Sequence, residues 1–146
     1  QYTGDAWLWK LEAIIRDAPE DTFFAFVGGF EYTLYQINEG NSDLGLLLEY
    51  QHDGRADSEA PTLADDDIFA ALRWSFNDTQ DTNILAGIAI DPEKSNTFIN
   101  VEAERRFGDS ITAELRLRIF AGASKSEFAF ATERDDYIQL RLSQYF

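Results

Sequence analysis

The chain has 146 residues, a formal net charge of -15 and no cysteine. That length makes one domain, residues 1–146; the missing thiols exclude a disulfide framework or thiolate metal site, and the acidity excludes nucleic acid as a partner. No run approaches the roughly 18 apolar residues of a transmembrane helix, so only a barrel of strands could carry this chain across a bilayer.

Alternation with a period of two runs through the whole sequence, and successive side chains of a strand point to opposite faces. Residues 5–16 set Trp7, Trp9, Leu11, Ala13 and Ile15 against Lys10, Glu12 and Arg16. D-A-P-E-D at 17–21 is a turn, since Pro19 cannot donate to a ladder. Residues 22–36 set Phe24, Phe26, Gly28, Phe30, Tyr32 and Leu34 against Ala25, Gly29, Glu31 and Thr33, and the turn residues of 37–42 end that strand. Residues 43–52 place Leu44, Leu46, Leu48 and Tyr50 opposite Gly45, Glu49 and Gln51, with Leu47 an exception. A long polar loop follows at 54–66.

Residues 67–77 carry Ile68, Ala70, Leu72, Trp74 and Phe76 against Arg73 and Ser75. Strands at 82–90, 96–107 and 111–120 follow, separated by N-D-T-Q-D, D-P-E-K-S and F-G-D-S. Arg105 alone falls on an apolar row. After a second long loop at 121–135, the last strand, 136–146, sets Ile138, Leu140, Leu142 and Phe146 against Gln139, Arg141 and Ser143. The pattern predicts an all-β, antiparallel, up-and-down transmembrane β-barrel of eight strands, each near the length that crosses the hydrocarbon layer when tilted.

Charge decides which face is which. The polar rows carry six acids (Glu12, Glu31, Glu49, Glu102, Glu104, Glu114) and seven bases (Lys10, Arg16, Arg73, Arg106, Arg116, Arg118, Arg141), nearly balanced, while turns and loops are strongly acidic. The apolar rows carry Trp7, Trp9, Phe24, Phe26, Phe30, Tyr32, Tyr50, Trp74 and Phe146, too bulky for the inside of an eight-stranded barrel. These aromatics are therefore expected to face lipid and the ionic rows the lumen, as a salt-bridge network filling it. A soluble lipocalin-like barrel binding an apolar ligand is the alternative.

No catalytic set, metal site or cofactor is expected. His52 is the single histidine, but its neighbour Asp53 points to the opposite face, which leaves no relay toward Ser58. Asp53, Asp57, Glu59 and the run Asp65, Asp66, Asp67 lack the spacing of a calcium loop and read as a solvated loop.

The ending D-D-Y-I-Q-L-R-L-S-Q-Y-F, together with W-L-W-K-L-E-A-I, F-V-G-G-F-E-Y-T, D-L-G-L-L-L-E-Y and Q-D-T-N-I-L-A-G, resembles the C-terminal half of porin-like outer-membrane proteins of Gram-negative bacteria. Gln144 departs from the aromatic or apolar residue usual at that place. The resemblance implies an outer-membrane location, contact with membrane lipid and lipopolysaccharide, and delivery through the C-terminal strand to the barrel-assembly machinery. It also implies that these strands are part of a wider passive diffusion channel, and it supplies no catalytic motif.

Overall fold

The structure, a computed structural model, describes residues 2–17, 22–55, 66–93, 96–122 and 135–146. Alternating sequence becomes one antiparallel sheet whose strands follow chain order. They are β1 (Tyr2–Thr3), β2 (Trp7–Asp17), β3 (Thr22–Leu34), β4 (Asp43–Asp53), β5 (Asp66–Ser75), β6 (Asn83–Ile90), β7 (Thr97–Phe107), β8 (Ile111–Ala121) and β9 (Tyr137–Gln144). The eight predicted strands correspond to β2 through β9, with ends within two residues of expectation. The two-residue β1, too short to leave a pattern, is additional; it pairs Tyr2 with Trp9 and Thr3 with Leu8.

Pairing keeps the two kinds of row apart. One row runs from Trp7 through Tyr32, Leu46, Leu72, Ala86, Val101 and Leu117 to Ile138. Another runs from Lys10 through Gly29, Glu49, Phe69, Ala89 and Phe98 to Phe120. A shift of one residue at any junction would mix the faces, so the alternation itself selects the register. Leu47, the exception in its strand, sits on the polar face between Glu31 and Ala71.

At one end the connections are short. Residues 4–6 turn from β1 to β2, with the Gly4 N–H donating to the Trp7 carbonyl at 2.7 Å. A 3-10 turn, Ile37–Glu39, joins β3 to β4, and Gly108, at φ 62, adopts the left-handed backbone that turns β7 into β8. The connections at the opposite end, β2 to β3, β4 to β5, β6 to β7 and β8 to β9, lie partly or wholly outside the described residues. The turn expected at 17–21 and the long loops expected at 54–66 and 121–135 belong to that end.

The turn between β5 and β6 is held by Asp78, whose carboxylate accepts the Thr82 N–H and the Thr82 hydroxyl, each at 2.8 Å. Arg105 keeps its register on the apolar row, opposite Ala113, but its side chain reaches this turn: its guanidinium donates to the Thr82 hydroxyl at 2.8 Å and lies 3.4 Å from Asp78. The bond from the Thr82 N–H, then that from its hydroxyl, with Arg105 nearby, holds the Asp78 carboxyl below the usual carboxylate range. A lowered folded-state value means the stabilisation is complete above the ordinary value of about 3.9 and is lost as pH falls through the lowered one. Protection of the Thr82 amide from hydrogen exchange, relative to the unfolded chain at the same pH, should therefore fall only in strong acid, whereas Asp78→Ala should lower it already at neutral pH.

No apolar residue is buried among the described residues. On the inner strands, apolar side chains such as Leu72 (37% exposed) and Leu48 (42%) are covered only by their row neighbours. On β2 and β9 the cover is thinner still: Leu11 is 69% exposed, Ile15 73%, Ile138 72% and Leu142 68%. The difference arises because each of these strands lacks a neighbour on one side. Among the described residues β9 pairs with β8 alone, and β2 pairs with β3 and, over two residues, with β1.

Candidate functional site

The polar face is the part of the sheet with chemistry on it. Three glycines there, Gly29, Gly45 and Gly87, leave hollows between longer side chains. Over Gly29, the Lys10 ammonium of β2 reaches Glu49 of β4 at 3.0 Å, two strands away. Over Gly45, the Arg73 guanidinium of β5 reaches Glu31 of β3 in the same manner. A Cβ on Gly45 would stand 3.3 Å from the Glu31 carboxylate and 3.7 Å from Arg73 Nε, so the missing side chain is what lets the ions meet.

A second cluster forms across β7, β8 and β9. Glu114 receives Arg116 at 3.4 Å and Arg141 at 3.5 Å. Arg118 donates to Asn100 at 3.3 Å, lies 3.9 Å from Glu102, and covers the Tyr137 ring at 5.7 Å. Glu104 stands directly opposite Glu114, a like-charge pairing that opposes the sheet, and it makes no ion pair among the described residues. Arg73, Glu102, Glu104, Glu114 and Arg116 line one shallow hollow between the two clusters.

Of the thirteen charged residues predicted for this face, nine pair with one another, one pairs elsewhere, and three make no ion pair among the described residues. Arg106 turns away to Asp81 in the β5–β6 turn. Glu12 and Arg16, on the open edge of β2, and Glu104 make no ion pair among the described residues. Toward the end of the sheet away from the short turns the face becomes aromatic, with Phe98 and Phe120 4.8 Å apart and Arg55 over Phe23 at 5.9 Å. The sequence reading missed this patch, although the even positions of β7 and β8 carry it.

The opposite face holds every predicted aromatic that lies within a strand. Trp7 stacks on Trp9 at 5.7 Å and meets Tyr32 at 4.4 Å and Phe30 at 5.4 Å, while Trp74 stacks on Phe76 at 4.7 Å. Phe24 and Tyr50 flank Phe26 at 5.6 and 5.7 Å, and Phe146 is wholly exposed beyond β9. These rings cover each other along the face rather than forming an interior.

His52 and Asp53 do point to opposite faces. His52 Nδ1 meets Asp66 at 2.8 Å, and the Tyr50 hydroxyl donates to the same carboxylate at 2.6 Å. Asp53 instead accepts from Arg55 Nε at 2.9 Å. The His52–Asp66 pair was not legible beforehand because it depends on the register across a long loop. Ser58, Asp57, Glu59 and Asp65 lie outside the described residues, and among the described residues no cluster of three or more His, Asp or Glu side chains is arranged to hold a metal.

What the polar face can do is hold fixed charges of both signs side by side along the strands. No family model, characterised protein or solved structure matches this chain in comparisons with each.

Proposed function

We propose that this chain forms the wall of an outer-membrane β-barrel, with its aromatic and aliphatic face against lipid and its ionic face toward the lumen. It acts as a membrane-spanning scaffold or narrow passive pore and carries no catalytic step. The observation behind this reading is that no apolar side chain is buried among the described residues, while whole rows of them, Trp7 and Trp9 included, stand exposed on one face. A chain in water does not leave so large a continuous apolar surface bare. A lipocalin-like barrel would gather the same rings into its centre.

The short connections at 4–6, 35–42, 76–82 and 108–110 then lie on the periplasmic side, where barrels of this class carry tight turns. The ion pairs Lys10–Glu49 and Glu31–Arg73 are part-exposed as they stand, where such pairs contribute only about 0–1 kcal/mol each. Within a narrow lumen they gain strength as water is excluded.

The three tryptophans, all on the proposed lipid face, make a direct test. Refolded into bilayers, the protein should lose most of its tryptophan emission to brominated acyl chains and little to aqueous acrylamide. A fold that is monomeric in plain buffer, with emission quenched by acrylamide, would sink the membrane reading.

A further inference from the structure

The sheet's two open edges complement one another. Among the described residues β1 covers only Leu8 and Trp9 of β2, so residues 10–17 carry an edge eight residues long with no strand beside it. β9 presents the other free edge and is also eight residues long. An exposed apolar edge of this length is a template for another strand. Because β2 and β9 run in opposite directions in the up-and-down order, β9 can add to β2 antiparallel.

Charge and cover choose the register. Keeping both faces unmixed requires the polar row of β9 to meet the polar row of β2, so only shifts of two residues are available. With Glu12 opposite Arg141, Leu11 meets Leu142, Ile15 meets Ile138, and Arg16 meets Tyr137. Arg141 then stands between Glu12 and its present partner Glu114, 3.5 Å away. Shifted two residues one way, Arg141 faces Lys10 and β9 overlaps both β2 residues that β1 covers, whereas the Glu12–Arg141 register overlaps Trp9 alone, at Gln144. Shifted the other way, Arg141 faces Ile14 and Glu12 is left without a cation.

In the sheet as it stands, a chain's own β9 does not pair with its β2. We propose that two copies of this chain join edge to edge, β9 of each on the free stretch of β2 of the other, to close one barrel of sixteen long strands. The two contacts are related by a twofold axis along the barrel, so the assembly closes rather than growing into a filament. A barrel of about sixteen strands encloses an aqueous channel, whereas eight enclose only side chains. This rests on the membrane reading above and changes what the ionic face lines, from a filled core to open water.

The chain has no native cysteine, so introduced ones report cleanly. One chain carrying only Glu12→Cys and a differently tagged chain carrying only Arg141→Cys are refolded together in detergent and oxidised. Directly opposed residues of an antiparallel pair lie within disulfide reach. The expected result is a heterodimer joined between the two tags, and at least fivefold less of it when Lys10→Cys replaces Glu12→Cys. Glu12→Arg should lower the noncovalent dimer roughly fivefold, the scale of one cross-strand charge pair, and Arg141→Glu added to it should restore the dimer. A monomer in which Glu12→Cys and Arg141→Cys of the same chain cross-link would overturn the proposal in favour of an eight-stranded barrel. Absence of both cross-links would overturn it too, leaving the edges to strands of another chain. If cross-linking fails while lipid still quenches the tryptophans, the pairing is wrong and the membrane reading stands.

Discussion

Gly29→Val should cost about 3 kcal/mol or more, enough to prevent most of the chain from reaching the folded form in detergent. A Cβ at this position would stand 2.3 Å from the Leu48 carbonyl oxygen and 2.8 Å from the Glu49 Cα, both backbone atoms that cannot rotate away. It would also stand 2.6 Å from Glu49 Cγ, displacing the carboxylate that Lys10 reaches across the gap. The adjacent glycine is the control. At Gly28 the nearest atom to an added Cβ is Leu11 Cδ1 at 3.4 Å, the movable tip of an exposed side chain. Gly28→Ala should leave the urea midpoint in detergent nearly unchanged. Equal sensitivity at the two positions would show that close strand approach at Gly29 is not what demands glycine.

Leu48→Arg and Leu47→Arg, neighbours on β4, should differ by several kcal/mol in a bilayer. Leu48 lies on the apolar face between Phe30 and Ala70, midway along its strand. If that face meets lipid as proposed, a guanidinium there enters the hydrocarbon at a cost of ~2–4 kcal/mol. Leu47 lies on the ionic face between Glu31 and Ala71, where the same guanidinium finds a carboxylate beside it. That substitution should cost at most roughly 1 kcal/mol, with the Glu31–Arg73 pair partly redistributed. Reversible unfolding in lipid vesicles measures both. The opposite ranking would assign lipid to the wrong face.

Strand identity was legible because alternation is local: five or six residues suffice to show it, and each strand ends where turn residues stop it. The short turns were legible for the same reason, through Asn77, Asp78 and Gly108. Leu47 and Arg105 broke the pattern and have different explanations. Leu47 keeps its place in the register, whereas Arg105 lies at a strand end from which its long side chain reaches Asp78 and Thr82. The two-residue β1 is below the length at which periodicity carries information.

By itself, the sequence determined the eight long strands, their up-and-down order, and which residues share a face, because a period of two commits every side chain once the register is right. Only the tertiary structure decided which charges meet, since Lys10 and Glu49 are brought together by two successive strand registers and by the absence of a side chain on Gly29 between them. It also decided that the ladder of described strands is open along β2 and β9. Closure depends on the twist and curvature accumulated over the whole sheet, a quantity that no single strand's composition records.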